Sequence, residues 1–300
     1  MGINFHKMKK WTNMILGKSS YHVNQNEGMF YSKTEVKGYY NNLTEKITRF
    51  GKPSVLVPKT IVDTGKEIFF PIAIFQYGLA AYDLYLSNSS DAMKNIVIAC
   101  AKWAVENLDN QGRWDTFSYN HTDMPYSSMA QGEGISLLIR AKHLLKTDCY
   151  DSFIHRAFEY MIKPIENGGT AKYKDNRIYF YESPMFPLVL NGWIFSIWGI
   201  WDYVKEFKDA NAEEILDKTL KALEASLPEY DIGYWSKYDD GKMLASPFYH
   251  SLHIAQLNVM FDLTGKEVYK VYKDRWLKYK NNFFFSKKAF VKKALQKVME

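Results

Sequence analysis

Leu190-Asn-Gly-Trp-Ile-Phe-Ser-Ile-Trp-Gly199 mixes bulky apolar residues with small and amide ones and carries no charge. Three other stretches share that blend: Pro71-Ile-Ala-Ile-Phe-Gln-Tyr-Gly78, Ser127-Ser-Met-Ala-Gln-Gly132 and Tyr249-His-Ser-Leu-His-Ile-Ala-Gln-Leu257. Gln76, Gln131, Gly192 and Gln256 mark corresponding places, 55, 61 and 64 residues apart, which is the period of a helix pair. A second, more charged stretch with a one-sided helical pattern follows each, at about 92 to 108, 149 to 163, 211 to 226 and 266 to 281. The pattern predicts a mainly α fold, an incomplete α/α toroid of about four helix hairpins, with buried inner helices and amphipathic outer ones.

The loops at 109 to 126, 165 to 187 and 227 to 247 are dense in Gly, Asp, Asn, Tyr and Trp and too long to be mere connectors. A ring of hairpins places the starts of all inner helices at one end, so these loops are expected to converge on one cleft. Residues 1 to 66 read as a short N-terminal arm, irregular or a β-hairpin. Within it Ser54-Val-Leu-Val-Pro-Lys-Thr-Ile-Val62 is the strand candidate and Asp63-Thr-Gly65 the turn. Residues 67 to 282 form the toroid, and 283 to 300 a basic amphipathic helix. That tail is of the kind that rests on acidic lipid headgroups; a solvated outer helix is the alternative reading.

Composition narrows the chemistry. With 47% hydrophobic residues in 300, the chain has material for a sizeable core, yet no uncharged apolar run is long enough to span a membrane. The opening MGINFHKMKKW is basic and no apolar signal region follows, so the expected location is the cytoplasm or the inner face of the membrane. Two cysteines, Cys100 and Cys149, give no disulfide framework or cysteine zinc site. No nucleotide fingerprint follows a strand, and neither a cofactor nor a metal is expected. A net charge of +6 suits an acidic saccharide better than a nucleic-acid duplex. The 22 Tyr and 8 Trp offer flat faces with polar tips, which sugar clefts use, though on composition alone an aromatic-rich core is the simpler account.

Residues 227 to 257 crowd Tyr230, Tyr234, Tyr238 and Tyr249 near His250 and His253. A phenol titrates near 10 and serves as a base only when a cation or donor stabilises phenolate, with Lys237, His250 and His253 as candidates. Ordinary core packing is the competing reading. His250 and His253, three apart on a helix, lack a third metal ligand and read as substrate hydrogen-bonders or packing residues. Tyr181 and Glu182 stand at a loop mouth, where Glu182 is either solvated or an acid or base. Trp114, after Arg113, either stacks on a pyranose or anchors its loop. Gln131, Gln76 and Asn191 line the inner helices, and the glycines of Gln131-Gly-Glu-Gly134 are expected to let helices approach.

Taken together, MAQGEGISLLIRA at 129 to 141, LNGWIFSIWGIWDY at 190 to 203, YDIGYWSKYD at 230 to 239 and YHSLHIAQL at 249 to 257 resemble the C-terminal catalytic region of the D-glucuronyl C5-epimerases. FFPIAIFQYGLAAY at 69 to 82 and NQGRW at 110 to 114 fall in the same order. The resemblance implies conversion of glucuronate to iduronate within a polymer by proton transfer at carbon 5. It places Tyr181, Tyr238 and Tyr249 as the catalytic tyrosines with Glu182 beside them, and an acidic polysaccharide or lipid-linked oligosaccharide as substrate. Here Glu182 follows Tyr181, whereas the family's glutamate precedes its tyrosine. The arginine that animal members carry shortly after the tyrosine matching Tyr238 is replaced by Asp240-Gly-Lys242, leaving Lys237 or Lys242 as substitutes. Only about 65 residues precede the helices, so a groove wall is reduced or supplied by a second subunit, a homodimer. A polysaccharide lyase shares both the toroid and the carbon 5 abstraction. A glycan-binding module, or a hydrolase using Asp115, Glu133 or Glu182, completes the alternatives.

Overall fold

The computed structural model describes residues 23–49, 55–62 and 64–299. The opening MGINFHKMKKW, Ser54 and Asp63 lie outside the described residues. Among the described residues the chain forms ten α-helices and four short strands. The helices are α1 (Glu45–Thr48), α2 (Pro71–Asn88), α3 (Asp91–Asn107), α4 (Ser128–Leu145), α5 (Asp151–Met161), α6 (Leu190–Phe207), α7 (Ala210–Ser226), α8 (Pro247–Thr264), α9 (Glu267–Asn281) and α10 (Phe283–Met299). The class is mainly α, and four helix hairpins, α2–α3, α4–α5, α6–α7 and α8–α9, follow the period of the sequence.

Each inner helix packs on its own outer partner and on the next inner helix, in the order α2, α4, α6, α8. Inner helices pass into outer ones through short turns that begin with a left-handed residue: Ser89, Lys146, Lys208 and Gly265 at φ 52°, 52°, 53° and 69°. That conformation ends a helix in one step. All the long loops therefore fall at the opposite end, where inner helices begin. Helices α4 and α6 approach closely enough for their backbones to touch. A Cβ on Gly199 would collide with the backbone of Gly132, and Ser196 Oγ bonds Ser128 Oγ at 2.8 Å across the same seam. The sequence reading of the α4 glycines as spacers agrees with this.

The strand candidate in the N-terminal arm shrinks to β1 (Thr60–Ile61), paired antiparallel with β2 (Glu67–Ile68). Pro58 lacks the ladder donor, and Val55 and Leu56 stay exposed. Upstream, Tyr39 and Tyr40 are buried against Phe195 and Trp198 of α6. There the buried Arg140–Asp202 pair also receives the Tyr40 hydroxyl at 2.8 Å. Residues 23–49 thus lie along the inner helices rather than apart from them.

A hairpin that the sequence did not announce, β3 (Ala171–Lys174) with β4 (Arg177–Phe180), occupies the loop before α6. It turns at Asp175 and Asn176, both at positive φ (50° and 57°), and buries Ile178 and Phe180. Its β4 strand packs on α7 and α6 and delivers the chain to Tyr181. The C-terminal helix α10 folds back on the loop before α8: Ala289 is buried with Trp235, Leu244 and Ala245. Among the described residues no helix is long and apolar enough to cross a membrane.

Candidate active site

Three backbone arrangements bring the loop tyrosines to one end of the hairpin row. Tyr181 N–H donates to Thr170 O at 3.0 Å, and its carbonyl accepts from Ser128 N–H at 3.1 Å, so β4 runs onto the first turn of α4. Leu190 N–H donates to Tyr238 O at 3.1 Å and Asp240 N–H to Leu188 O at 3.0 Å, tying the entry of α6 to the loop before α8. Asp240 Oδ1 accepts from Leu188 N–H at 2.8 Å and reinforces that tie. Ser246 then caps α8, accepting from Tyr249 N–H at 3.3 Å, and sets Tyr249 in the first turn.

The rings of Tyr238 and Tyr249 consequently meet, centroids 4.8 Å apart and planes inclined by 58°. Tyr181, Tyr238 and Tyr249 are all partly exposed. Burial, with help from the charge of Asp240 and from Tyr179, holds the Tyr181 phenol above its ordinary pKa. Glu182 packs its carboxyl against Gly192, where any Cβ would strike it. Its Oε2 has no hydrogen-bond partner among the described residues, and burial pushes its pKa up to about 7. Deeper lies Glu133 of α4, fully buried, bonded by Gln76 Nε2–H at 2.8 Å and raised well above the carboxylate range by burial. Lys46 of α1 acts on the same carboxyl and is itself pushed down to about 8 by burial.

A family model described as the D-glucuronyl C5-epimerase C-terminus matches residues 109–278. The chain belongs to that family. An uncharacterized protein of Methanocaldococcus jannaschii is 29% identical over 164 residues, 53% of each chain. The D-glucuronyl C5-epimerase of Caenorhabditis elegans is 27% identical over 210 residues, 60% of this chain and 34% of the nematode protein. The chain therefore spans about half the length of the archaeal relative and about a third of the nematode one. The span matched by the epimerase family model holds the β3–β4 hairpin, α4 to α8, most of α9, and the loops carrying Tyr181, Glu182, Tyr238 and Tyr249.

Several residues expected at the substrate are placed elsewhere. Trp114 is 0% exposed: its ring fills the slot left by Gly134, meets Phe75 at 4.9 Å, and donates to Ala104 O at 2.8 Å. It anchors its loop, and neither ring face is open to a sugar. Gln131 is a buried brace, donating to Gly112 O and Ala157 O and accepting from Trp114 N–H. Gln76 is engaged by Glu133. Arg113 pairs with Asp109 at 2.7 Å and lies over Tyr126. Asn191 is buried; its backbone carbonyl accepts from Gln256 Nε2–H, while its side-chain Oδ1 has no hydrogen-bond partner among the described residues.

The histidines are corrected most sharply. His250 is fully buried, stacks on Trp235 at 3.7 Å, and bonds Ser236 Oγ through Nδ1 and Trp276 O through Nε2. Burial lowers it to about 3, and lowers His253 as well, so both are neutral and neither is the cation sought for a phenolate. Among the described residues no cluster suits a metal ion. Lys237 Nζ donates to the carbonyls of Asp240 and Gly241 and holds its own loop closed. Two groups the sequence did not single out, Lys46 and Lys293, stand beside the carboxylates and the tyrosines respectively. Lys293 lies in the basic tail, where no local signal in the sequence sets it apart from the neighbouring lysines.

Proposed function

We propose that the protein is a uronate C5-epimerase, removing the carbon 5 proton of a glucuronate residue in an acidic polysaccharide or lipid-linked glycan and returning one to the opposite face to give iduronate. The observation that carries this reading is the Tyr238–Tyr249 pair at 4.8 Å, inside the span matched by the epimerase family. Breaking the C5–H bond leaves negative charge shared with the substrate carboxylate, so inversion needs an acceptor on one face, a donor on the other, and positive potential between them. On this reading the Tyr238–Tyr249 pair accepts the proton. Tyr181, held in its protonated form by burial, donates from the other face. Glu182, titrating near 7, sets the ionisation beside Tyr181.

Two surface features fit an acidic chain bound at a membrane. An open groove of about 250 Å³ at the β3–β4 tip is lined by Lys174, Arg177 and Lys218 together with Asp175. The outer face of α10 exposes Phe283, Phe284, Val291 and Leu295 beside Lys287, Lys288 and Lys292, which suits acidic headgroups around a lipid-linked substrate.

Incubation of a glucuronate polymer with the protein in heavy water tests the reading. Deuterium at carbon 5 in chains of unchanged length is expected. A new ultraviolet-absorbing double bond would mark a lyase, new reducing ends a hydrolase, and either result would contradict the epimerase.

A further inference from the structure

His250 and His253 are neutral and Lys237 donates to loop carbonyls, so none of the three is the cation that sequence reasoning sought for the tyrosine pair. One ammonium does reach the pair, from an element outside the family span. Lys293 of α10 is 6% exposed and carries its Nζ to 5.8 Å from the centre of the Tyr238 ring. The helix is fixed there by specific bonds. Gln296, one turn further on the same face, accepts from Leu244 N–H at 3.0 Å and donates to Lys242 O at 2.7 Å. Those residues form the arm of the loop that bonds back to Tyr238, whose N–H donates to Met243 O at 2.7 Å. Around this point Phe285 meets Tyr234 and Tyr279 at 6.2 and 5.7 Å, and Lys288 lies 4.1 Å from the Tyr234 ring centre.

We infer that α10 is part of the active site and that Lys293 is a positioning residue for Tyr238, stabilising its phenolate so that it accepts a proton near neutral pH. The inference deepens the epimerase reading and rests on it for the identity of the reaction, but its electrostatic content does not need the substrate. Burying an ammonium is costly unless negative charge or a hydrogen-bond acceptor answers it. Part of that answer is Asp239, whose carboxyl Lys293 helps to keep ionised against burial. The Tyr238 ring, its centre 5.8 Å from Nζ, lies beside the same ammonium, and a phenolate there would add a second negative charge. A unit charge a few ångströms away in a partly dry site shifts a phenol by about one to three pH units.

Other charged and titratable groups face the pair and set the baseline. These are Tyr249 on α8 and Tyr279 on α9, packed in one cluster with Tyr238, Asp239 beside Lys293, Asp240, Lys237 and Lys242 on the same loop, Lys288 over Tyr234, and Tyr181 before α6, which feels the charge of Asp240. Of these, Asp239 also loses the Lys293 charge in Lys293→Met, whereas Lys293→Arg keeps that charge, so the contrast between the two variants reports the charge at position 293.

The test titrates the full chain, labelled with carbon-13 at the tyrosine ring carbon bearing the hydroxyl, and assigns Tyr238 by its loss in Tyr238→Phe. The wild-type midpoint is expected below the ordinary value of about 10. Lys293→Met is expected to raise it by about one unit or more, and Lys293→Arg to keep it near wild type. A wild-type midpoint at or above about 10 would overturn the assignment without any variant, should Lys293→Met fail to fold. An unchanged midpoint in folded Lys293→Met would overturn it too. Deuterium wash-in at carbon 5 separates the two levels. Absent exchange in wild type with a shifted midpoint sinks the epimerase reading and keeps Lys293 beside a phenolate. Normal exchange with an unchanged midpoint sinks Lys293 alone.

Discussion

Tyr238 and Tyr249 meet at 4.8 Å although one lies on a bonded loop and the other in the first turn of α8. Their meeting depends on Ser246, which caps the helix, and on the Tyr238–Met243 and Leu190–Tyr238 backbone bonds, which fix the loop against the entry of α6. The site is thus assembled from loop backbone, with the α-helical hairpins as a rigid frame, and the consequences can be measured residue by residue.

Glu182 ionises at a cost in the folded protein. Its pKa of about 7 lies above the ordinary 4.5, so the fold binds this proton more tightly than the unfolded chain does. The cost is absent below the unfolded value, grows as pH rises between 4.5 and about 7, and is complete above that. Glu182→Gln is therefore expected to gain stability relative to wild type between about pH 5 and 8, by at most about 3 kcal/mol. Urea unfolding at the two pH values checks this, and an identical difference at both would contradict the buried carboxyl. Asp83, also raised to about 7 by burial, is present in both proteins and cancels.

His250 works in the opposite direction. Its folded pKa of about 3 lies below the ordinary 6.5, so protonation favours the unfolded chain once pH falls below 6.5. Melting temperature is expected to drop by several degrees between about pH 6.5 and 4. His250→Gln should start lower, having lost the Trp276 and Ser236 bonds, yet fall less on acidification. Scanning calorimetry across that range decides, and parallel curves would contradict a buried neutral histidine.

The exposed stripe of α10 calls for point changes, because deleting the helix would also remove Lys293 and Gln296 from the site. Phe284→Ser with Leu295→Ser is expected to reduce binding to vesicles rich in anionic lipid several-fold while leaving the circular dichroism spectrum unchanged. Binding equal to wild type would remove the membrane contact.

The helical frame was legible because inner helices such as Leu190–Phe207 must be apolar on every side to be sandwiched, whereas outer ones such as Ala210–Ser226 bury one face. The outer helices and the starts of the inner ones fell within a few residues of the sequence estimate, while the inner stretches marked from sequence stop about two turns or more short of the helix ends. The β3–β4 hairpin escaped because its turn, Asp175-Asn176, contains no glycine and its outward residues Lys172, Lys174 and Arg177 read as a solvated loop. Trp114 was ambiguous for a related reason: nothing local reveals that Gly134, twenty residues later, opens a slot for its ring. The tyrosines Tyr181, Tyr238 and Tyr249 were named from a family resemblance, and their roles rest on the proposal. The cation was misassigned because helical proximity of His250 and His253 says nothing about their burial under Trp276.

The most direct measurement is deuterium wash-in at carbon 5 of a glucuronate polymer by wild type, Tyr238→Phe and Tyr249→Phe, each shown to be folded. Loss of a proton-transfer group is expected to slow exchange by roughly a hundred- to ten-thousand-fold in each variant, with the polymer left intact. Exchange near the wild-type rate in both variants would contradict a proton acceptor built from this pair.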